Sequence, residues 1–308
     1  MRIETYTSEL GEAIERLQRR YIAVQPQGSK FVPKASYNQH PAMEGGKNVF
    51  CAFVDDALVG YGVLTPTPAE PESAQDIENT IWIYIRVDPE AGNWVAIQEA
   101  LYEAILEKCR EYSRKWRSRE TRMAIGYPEG RQDEIEYFVS KGLERFDALL
   151  QMRRDLSEPM PEFELPPGVT ARRWRMEGKG EKERYLEVEM RVWPQSPRTV
   201  EELTYYFGSW KGGAAITAFD EAGRIVGSVM AYWYGKWHGV TEDVFVAPDW
   251  RRKGIANRLI MEGMKYLWEN GIRTAGLEVR ESNQPAVRLY QSLGYRVIHR
   301  EVQLALSI

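Results

Sequence analysis

The chain has 308 residues, of which 43% are hydrophobic and 28% charged, with a formal net charge of −4. This composition is that of a globular protein and excludes a disordered or fibrous chain, while the length favours two domains of about 150 residues each. The slight negative charge argues against nucleic acid as a partner, and no run approaches the roughly 18 apolar residues of a membrane span.

The first half predicts an alternation of helices and strands, because stretches with apolar residues at helical spacing alternate with short apolar runs bounded by turn residues. In chain order the predicted elements are a helix at 8–17, a hairpin of strands at 48–54 and 58–64, a strand at 81–87, a helix at 95–109, a strand at 123–126, a helix at 134–142 and a closing strand at 146–156.

A proline-rich stretch, residues 158–168 (EPMPEFELPPG), follows the closing strand and is predicted to be a linker, since it cannot sustain a helix or a central strand. The predicted elements after it are a strand at 169–174, helices at 182–193 and 199–207, strands at 214–219, 225–234 and 241–246, a helix at 255–270, a strand at 275–279, a helix at 285–293 and a final strand or strand pair at 295–306.

The two halves repeat one order of elements, which favours an internal duplication. We therefore predict an α/β fold of two domains, residues 1–157 and 169–308, each with a central mixed β-sheet flanked by helices.

Cysteine and histidine usage gives little sign of special chemistry. Cys51 and Cys109 are far apart, and His40, His238 and His299 have no metal-ligand spacing. We expect no disulfide framework, no metal and a cytoplasmic location. The N-terminal region has early acidic residues and no apolar core, so it does not resemble a signal peptide.

A basic turn stands between a predicted strand and a predicted helix in the sequence VAPDWRRKGIA, residues 246–256. The first N–H groups of a helix have no partner within the helix, and they carry partial positive charge. Gly254 permits close approach of a ligand, and three successive basic residues add full charges. The turn matches neither the P-loop nor the dinucleotide-binding glycine pattern. By itself it fits a pyrophosphate site and a solvated basic helix start equally well.

In its context, the segment 244–256 closely resembles motif A of the GNAT superfamily of acetyl-CoA-dependent N-acyltransferases. The segment 283–295 (NQPAVRLYQSLGY) is similar to motif B of that family. The resemblance covers essentially the whole second half, in the family's order of elements. It implies two tandem GNAT-like domains, acetyl-CoA as co-substrate, no metal, and a V-shaped cleft between the strands at 241–246 and 275–279.

The resemblance also implies which residues contact acetyl-CoA. They are Val244, Phe245 and Val246 along the pantetheine, Arg251, Arg252, Lys253, Gly254, Ile255 and Ala256 around the pyrophosphate, and Asn283 near the pantetheine or acyl group.

Acetyl transfer needs a base, because a free amine has a pKa of about 10. Period-two alternation places Glu242 on the same strand face as Val244 and Val246, and family members often carry a catalytic carboxylate here. We predict Glu242 as the base, with Asp243, on the opposite face, as a substitute or a contact for the substrate amine. Either carboxylate also fits a solvated strand end. An oxyanion donor is expected from the main chain at a strand irregularity near Val246.

Tyr290 occupies the motif B position from which family members protonate the departing CoA thiolate. We predict that Tyr290 is the acid. A core aromatic residue that anchors a short helix is the alternative interpretation.

The first half lacks the corresponding residues when 87–89 is aligned on 246–248 and Gly142 on Gly294. The resulting pairs are Ile83 with Glu242, Tyr84 with Asp243, residues 92–95 with 251–254, Ile97 with Ala256, and Phe138 with Tyr290. We predict that residues 1–157 form a degenerate GNAT-like domain without catalysis and with little or no acetyl-CoA binding.

A primary amine of a small molecule is the predicted acceptor. Aromatic residues expected along the acceptor side are Trp193, Tyr205, Tyr206, Trp210, Trp233 and Trp237. Core or interdomain packing explains these residues equally well. The alternatives are a CoA-binding regulatory or partner-binding module without turnover, and a protein or peptide N-acetyltransferase. The sequence predicts neither the identity of the acceptor nor an oligomeric state.

Overall fold

A computed structural model of the chain describes residues 1–24, 38, 41–69, 77–193, 198–236 and 238–308. In chain order, the helices and strands of these residues are β1 (Arg2–Thr5), α1 (Gly11–Ala23), β2 (Val49–Val54), β3 (Ala57–Thr67), β4 (Asn79–Val87), α2 (Trp94–Lys115), β5 (Thr121–Pro128), α3 (Gln132–Ser140), β6 (Glu144–Asp155), β7 (Thr170–Trp174), α4 (Lys179–Val192), α5 (Val200–Ser209), β8 (Gly212–Phe219), β9 (Ile225–Trp233), β10 (His238–Val246), α6 (Ile255–Glu269), β11 (Thr274–Arg280), α7 (Gln284–Ser292) and β12 (Arg296–Ser307). The predicted mixed sheet flanked by helices is confirmed, and β1 is a strand that the sequence did not predict.

The described residues divide into two compact units. The first unit comprises the described residues up to Ala148 together with Glu301–Ile308, and the second comprises Leu149–Arg300. This division differs from the predicted domains, 1–157 and 169–308, in where the two closing strands belong.

Each unit contains a sheet with the same strand order. In the first unit the order is β1-β2-β3-β4-β5-β12, and in the second it is β7-β8-β9-β10-β11-β6. Each sheet has one parallel pair, β4 with β5 and β10 with β11, and its other neighbouring strands pair antiparallel. The repeated order agrees with the predicted duplication.

The closing strands are exchanged between the halves of the sequence. In the first unit, β5 pairs with residues 301–307 of β12, and in the second unit β11 pairs with residues 149–155 of β6. Hydrophobic periodicity identifies both segments as strands, but it does not identify their partners. The sequence therefore assigned each closing strand to the half in which it is written.

Helices cover both faces of the second sheet. Buried residues of α6 and α7 form one core with the sheet, and buried residues of α4 and α5 form a second core on its other side. The α6 side chains Leu259, Ile260 and Met264 are fully buried, and burial of each contributes roughly 1.5–3 kcal/mol. This packing fixes the position at which α6 begins.

The predicted linker is packed against the second unit. Met160, Phe163 and Leu165 contact the core formed by α6 and α7, and the Arg258 Nη1 donates to the carbonyl oxygen of Phe163 at 2.6 Å. The stretch contains no helix or strand, as its prolines predict.

Candidate functional site

The strands β10 and β11 diverge and leave a cavity between them. They pair only from His238 to Val240 with Thr274 to Gly276. Beyond these pairs lies a cavity of about 490 Å³, at the position where the family resemblance implied a V-shaped cleft. Its walls are formed by Glu189, Trp193, Arg198, Thr241, Glu242, Asp243, Val244, Glu278, Val279, Arg280, Asn283, Ala286 and Tyr290.

A β-bulge interrupts β10 at the cavity. The pairing of β10 with β9 shifts register between Glu242 and Phe245, and Asp243 has a φ of 51°. This left-handed conformation is uncommon outside glycine, although aspartate tolerates it better than most residues. The predicted irregularity thus exists, but it lies at Asp243 and Val244 and not near Val246.

The bulge changes which residues share a face. Val244 and Val246 pack on the core of α6 and α7, whereas Glu242 contacts tyrosines that belong to the core of α4 and α5. The prediction that Glu242 shares a face with Val244 and Val246 is therefore wrong, because an extra residue in the strand shifts the alternation. The prediction that Asp243 points away from Glu242 is also wrong, since Asp243 pairs with Arg198, whose guanidinium lies over the ring of Tyr206, a hydrogen-bond partner of Glu242.

Glu242 is held by two tyrosines. Its Oε2 accepts hydrogen bonds from Tyr206 at 2.9 Å and from Tyr232 at 2.5 Å, and the two phenolic oxygens are 2.7 Å apart. Burial raises the pKa of Glu242 above its ordinary value, and the two phenols oppose that rise. A carboxylate with a raised pKa at a cavity has the properties of a general base.

Asp243 belongs to a partly buried ion network. Its Oδ2 lies 2.9 Å from Nη1 of Arg198, and the same guanidinium donates from Nε to Glu189 at 3.0 Å. Glu189 is only 2% exposed, and burial raises its pKa although Arg198 opposes this. Asp243 is thus paired with a cation, whereas the hydrogen-bond partners of Glu242 are two phenols.

Tyr290 lines the same cavity from α7. It is 9% exposed, and burial, together with the nearby carboxylates of Glu242 and Asp243, raises its pKa to about 12. The phenol therefore keeps its proton at neutral pH and is able to donate it.

Asn283 also lines the cavity and has a structural role besides the predicted one. Its Oδ1 accepts a hydrogen bond from the N–H of Ala286 at 3.3 Å and so caps the start of α7. This cap fixes the first turn of the helix that carries Tyr290.

The basic turn leads directly into α6. Gly254 has a φ of 77° and Arg252 a φ of 63°, so the backbone turns twice through the left-handed region before Ile255 begins the helix. Such successive turns produce concave arrangements of N–H groups that suit anions. The positive φ at position 254 explains why glycine occupies it, since other residues adopt this conformation only with strain. The assignment of a pyrophosphate to residues 252–256 stays a prediction.

The basic side chains of the turn are exposed. Arg251 donates from Nε to the carbonyl oxygen of Val246 at 3.2 Å, and the Lys253 ammonium lies 4.6 Å from the centre of the Trp250 ring. Three exposed positive charges therefore lie just before the start of α6.

Two of the predicted cofactor contacts have buried side chains. Phe245 is 2% exposed and packs against Tyr185 and Trp193, and Ile255 belongs to the core of α6. Only their main chains are suited to contact a cofactor, as predicted for the pantetheine and pyrophosphate.

The six aromatic residues predicted on the acceptor side separate in the structure. Trp193 lines the cavity, Tyr206 donates a hydrogen bond to Glu242, and Trp210 stacks on Tyr232. Of the other three, Tyr205 is exposed and Trp233 contacts Tyr266 of α6, while Trp237 lies outside the described residues.

Sequence reasoning missed Tyr232, Arg198 and Glu189. Tyr232 pairs with Val240 across the antiparallel neighbours β9 and β10, and Val240 shares a face with Glu242 because the two are two residues apart, but that register cannot be read from the sequence. Arg198 lies outside helices and strands, where no periodicity applies, and Glu189 looks like one more acidic residue of a polar helix.

Within the described ranges, no helix has the length and apolarity needed to cross a membrane. Over those same ranges, no group of three His, Cys, Asp or Glu side chains is arranged to hold a metal. Cys51 and Cys109 are buried free thiols, and burial raises the pKa of each to about 12.

Comparison with known sequences gives a family match within the second unit. Residues 181–295 match the model of the acetyltransferase (GNAT) family. This range includes the bulged strand, the basic turn and Tyr290.

Several relatives are named mycothiol acetyltransferase. That of Thermomonospora curvata is 32% identical over 163 residues, which are 51% of this chain and 54% of the relative. That of Rhodococcus erythropolis is 25% identical over 300 residues and 90% of each chain. The chain thus spans about half the length of the first relative. The names agree with a distant similarity to mycothiol synthase, which the tandem order and the segment 286–295 also indicate.

Solved structures share the fold over the whole chain. A GCN5-related N-acetyltransferase from Sphaerobacter thermophilus has a TM-score of 0.73 at 20% identity, covering 99% of this chain and 95% of that one. A tandem GNAT protein from the clavulanic acid biosynthesis pathway has a TM-score of 0.72 at 14% identity, covering 99% and 98%. At these identities the similarity shows the fold alone. Residues 181–295 thus match the GNAT acetyltransferase family, and the fold of the chain is similar to that of tandem GNAT proteins.

Proposed function

We propose that this protein is an acetyl-CoA-dependent N-acetyltransferase that acts on a primary amine of a small molecule. The observation that carries the proposal is the cavity between β10 and β11. It is lined both by a carboxylate with a raised pKa, Glu242, and by a phenol that stays protonated, Tyr290.

Glu242 acts as the base in this mechanism. It removes a proton from the acceptor ammonium, and the free amine attacks the thioester carbonyl carbon. The oxyanion that forms is stabilised by main-chain N–H groups at the bulge around Asp243 and Val244. When the carbon–sulfur bond breaks, Tyr290 donates its proton to the CoA thiolate. The second nitrogen proton, released as the neutral amide forms, returns to the phenolate and restores Tyr290.

The acetyl-CoA site follows the family resemblance. The pantetheine runs along residues 244–246, the pyrophosphate binds the amides of residues 252–256, and Asn283 lies near the acyl group. The left-handed turns at Arg252 and Gly254, and the exposed charges beside them, support the pyrophosphate position.

The charge of the cavity supports an amine acceptor. Four of its lining side chains are carboxylates (Glu189, Glu242, Asp243 and Glu278) and two are guanidiniums (Arg198 and Arg280). This acidic excess favours an ammonium ion over an anionic acceptor. Because several relatives are named mycothiol acetyltransferase, an amine related to mycothiol is one candidate for the acceptor.

The first unit has no catalytic role in this proposal. The cavity beside its parallel pair is lined by Asp88, Asp133 and Glu134 against one arginine, Arg131, which disfavours the anionic pyrophosphate of CoA. At the position aligned with Tyr290, Phe138 is fully buried. The two free thiols accord with a reducing cytoplasm, which we propose as the location of the protein.

Binding is tested by thermal unfolding with acetyl-CoA. Acetyl-CoA at about 100 times its dissociation constant stabilises a protein by about 2.7 kcal/mol, which corresponds to a rise of several degrees in melting temperature. Gly254→Glu removes the rise, because it places a carboxylate at the anion turn. Gly92→Glu, at the aligned turn of the first unit, leaves the rise intact, since a Cβ at Gly92 meets no atom within 4 Å. No rise at millimolar acetyl-CoA contradicts the proposal.

Turnover is tested by the release of CoA across a panel of small primary amines. Glu242→Gln lowers kcat/KM by about 10²–10⁴-fold, the usual contribution of a general base. Binding without turnover on any amine favours a CoA-binding module, and turnover only on peptides favours protein acetylation.

A further inference from the structure

Three oxygen atoms form a closed triangle beside the cavity. They are Oε2 of Glu242 and the phenolic oxygens of Tyr206 and Tyr232, with separations of 2.5, 2.7 and 2.9 Å. All three separations are within hydrogen-bond distance. Of these three residues, the sequence motifs indicated only Glu242 as a catalytic group.

The number of protons available to the triangle depends on the state of Glu242. Each phenol carries one proton, so two protons serve three short contacts while Glu242 is ionised. One oxygen–oxygen contact then lacks a proton. A third proton, placed on Glu242, allows each of the three contacts to contain one hydrogen bond.

The surroundings hold this triangle rigidly. The Trp210 ring stacks on Tyr232 with centroids 4.5 Å apart and planes 1° apart, and it meets Tyr206 edge-on at 5.2 Å. Tyr232 is 3% exposed. Side chains locked in this way position a carboxylate more firmly than solvent does.

We infer that Tyr206 and Tyr232 are positioning residues that orient Glu242 toward the acceptor and form, with the proton taken from the acceptor ammonium, a closed ring of three hydrogen bonds. This inference rests on the proposed function of Glu242. It assigns to two aromatic residues a role in proton transfer that packing alone does not require.

The proton balance of the step is simple. The nitrogen–hydrogen bond of the ammonium breaks and leaves its electron pair on nitrogen, and the proton bonds to Glu242. Each phenol keeps one proton throughout, since burial raises the pKa of both tyrosines far above neutral. The proton later leaves Glu242 for solvent, which returns the triangle to two protons for the next turnover.

Removal of one phenol tests the inference without an acceptor. In protein labelled with ¹³C at the glutamate carboxyl carbons, the resonance missing in Glu242→Gln identifies Glu242, and its shift is followed against pH. Both phenols donate to the ionised form, so Tyr232→Phe and Tyr206→Phe each move the titration of Glu242 upward by about one pH unit, as expected for a hydrogen bond to a charged group.

Tyr234→Phe is the matched control. Tyr234 is 54% exposed and meets Tyr232 edge-on at 5.4 Å, so this variant removes a nearby hydroxyl outside the triangle and leaves the titration unchanged. If the titration of Glu242 also stays in place in both Tyr232→Phe and Tyr206→Phe, the inference is overturned. Because the two variants are independent, one that fails to fold leaves the other as the test.

Kinetics separate this inference from the proposed function. With an amine that supports turnover, the acidic limb of kcat/KM moves upward in both phenylalanine variants, and activity recovers as the pH rises. A purely structural role instead lowers activity equally at every pH. If Glu242→Gln remains active, the proposed function fails, whereas an immobile titration in both variants overturns the positioning role alone.

Discussion

The two units have the same strand order and differ where the cavity is built. In the first unit, β3 pairs with β4 without interruption from Gly60 with Val87 to Thr67 with Thr80. In the second, the equivalent pairing of β9 with β10 is broken by the bulge at Asp243. In the first unit the aligned residues Ile83 and Tyr84 lie in an unbroken strand pair. In the second, the extra residue in β10 accompanies two carboxylates, Glu242 and Asp243, that line a cavity.

The helix starts differ in the same way. Before α2, Asn93 has a φ of −132° and caps the helix with its side chain. Before α6, Gly254 is left-handed and offers no side chain. The scaffold therefore accommodates either start, and the left-handed turn is not a requirement of the fold.

Removal of Arg198 from its partly buried ion network in the second unit costs more stability than the other substitutions considered below. Arg198→Ala leaves Glu189 and Asp243 without their cation and lowers the free energy of unfolding by about 3 kcal/mol. Burial raises the pKa of Glu189, and the loss of Arg198 removes the group that opposes this rise. A carboxyl group with a raised folded-state pKa destabilises the protein increasingly as the pH rises above the pKa it has in the unfolded chain. The loss measured by urea unfolding is therefore greater at pH 8 than at pH 5.

Arg20→Ala in the first unit is the comparison for that variant. Arg20 donates from Nε to Asp88 at 3.0 Å, but its side chain is 41% exposed, so the loss is about 1 kcal/mol or less. Although burial opposes it, this pair keeps the pKa of Asp88 below its usual range. Its contribution is present above the unfolded pKa and disappears as the pH falls through the folded pKa. Equal losses of unfolding free energy in Arg198→Ala and Arg20→Ala would contradict the expectation that the less exposed ion network contributes more.

Tyr290→Phe is expected to lower kcat about 100-fold without a comparable change in the affinity for acetyl-CoA, because it removes the acid and keeps the ring. CoA release and thermal shift measure the two quantities.

The reverse change, Phe138→Tyr, produces no second activity. It destabilises the first unit by about 1–3 kcal/mol, since a hydroxyl enters a fully buried position stacked on Tyr127.

The glycines of the two turns are expected to differ by a small amount in stability. In Gly254→Ala, an alanine in the left-handed conformation costs about 1 kcal/mol, measured by urea unfolding. Gly92 has no positive φ, so Gly92→Ala changes stability by less than about 0.5 kcal/mol. A cost at Gly92 as large as that at Gly254 would remove the difference between the two turns.

The sequence predicted most of the elements and failed where structure depends on pairing. The helices α2 and α6 were predicted because their apolar residues follow helical spacing. The bulge was not located, since alternation describes a strand as if no residue were inserted, and that is why Glu242 was assigned to the wrong face. The role of Tyr232 required the register between β9 and β10, which emerges only when the hairpin forms.

The exchanged closing strands have a consequence for synthesis of the protein. The sheet of the first unit lacks its sixth strand until residues 301–307 have left the ribosome, although the rest of that unit is finished by Ala148. At typical rates of about 5–20 residues per second, the roughly 150 intervening residues take about 8–30 s to translate. During that interval β5 has an open edge where β12 will pair, so the nascent chain has a period of exposure to aggregation that an independent N-terminal domain would not have.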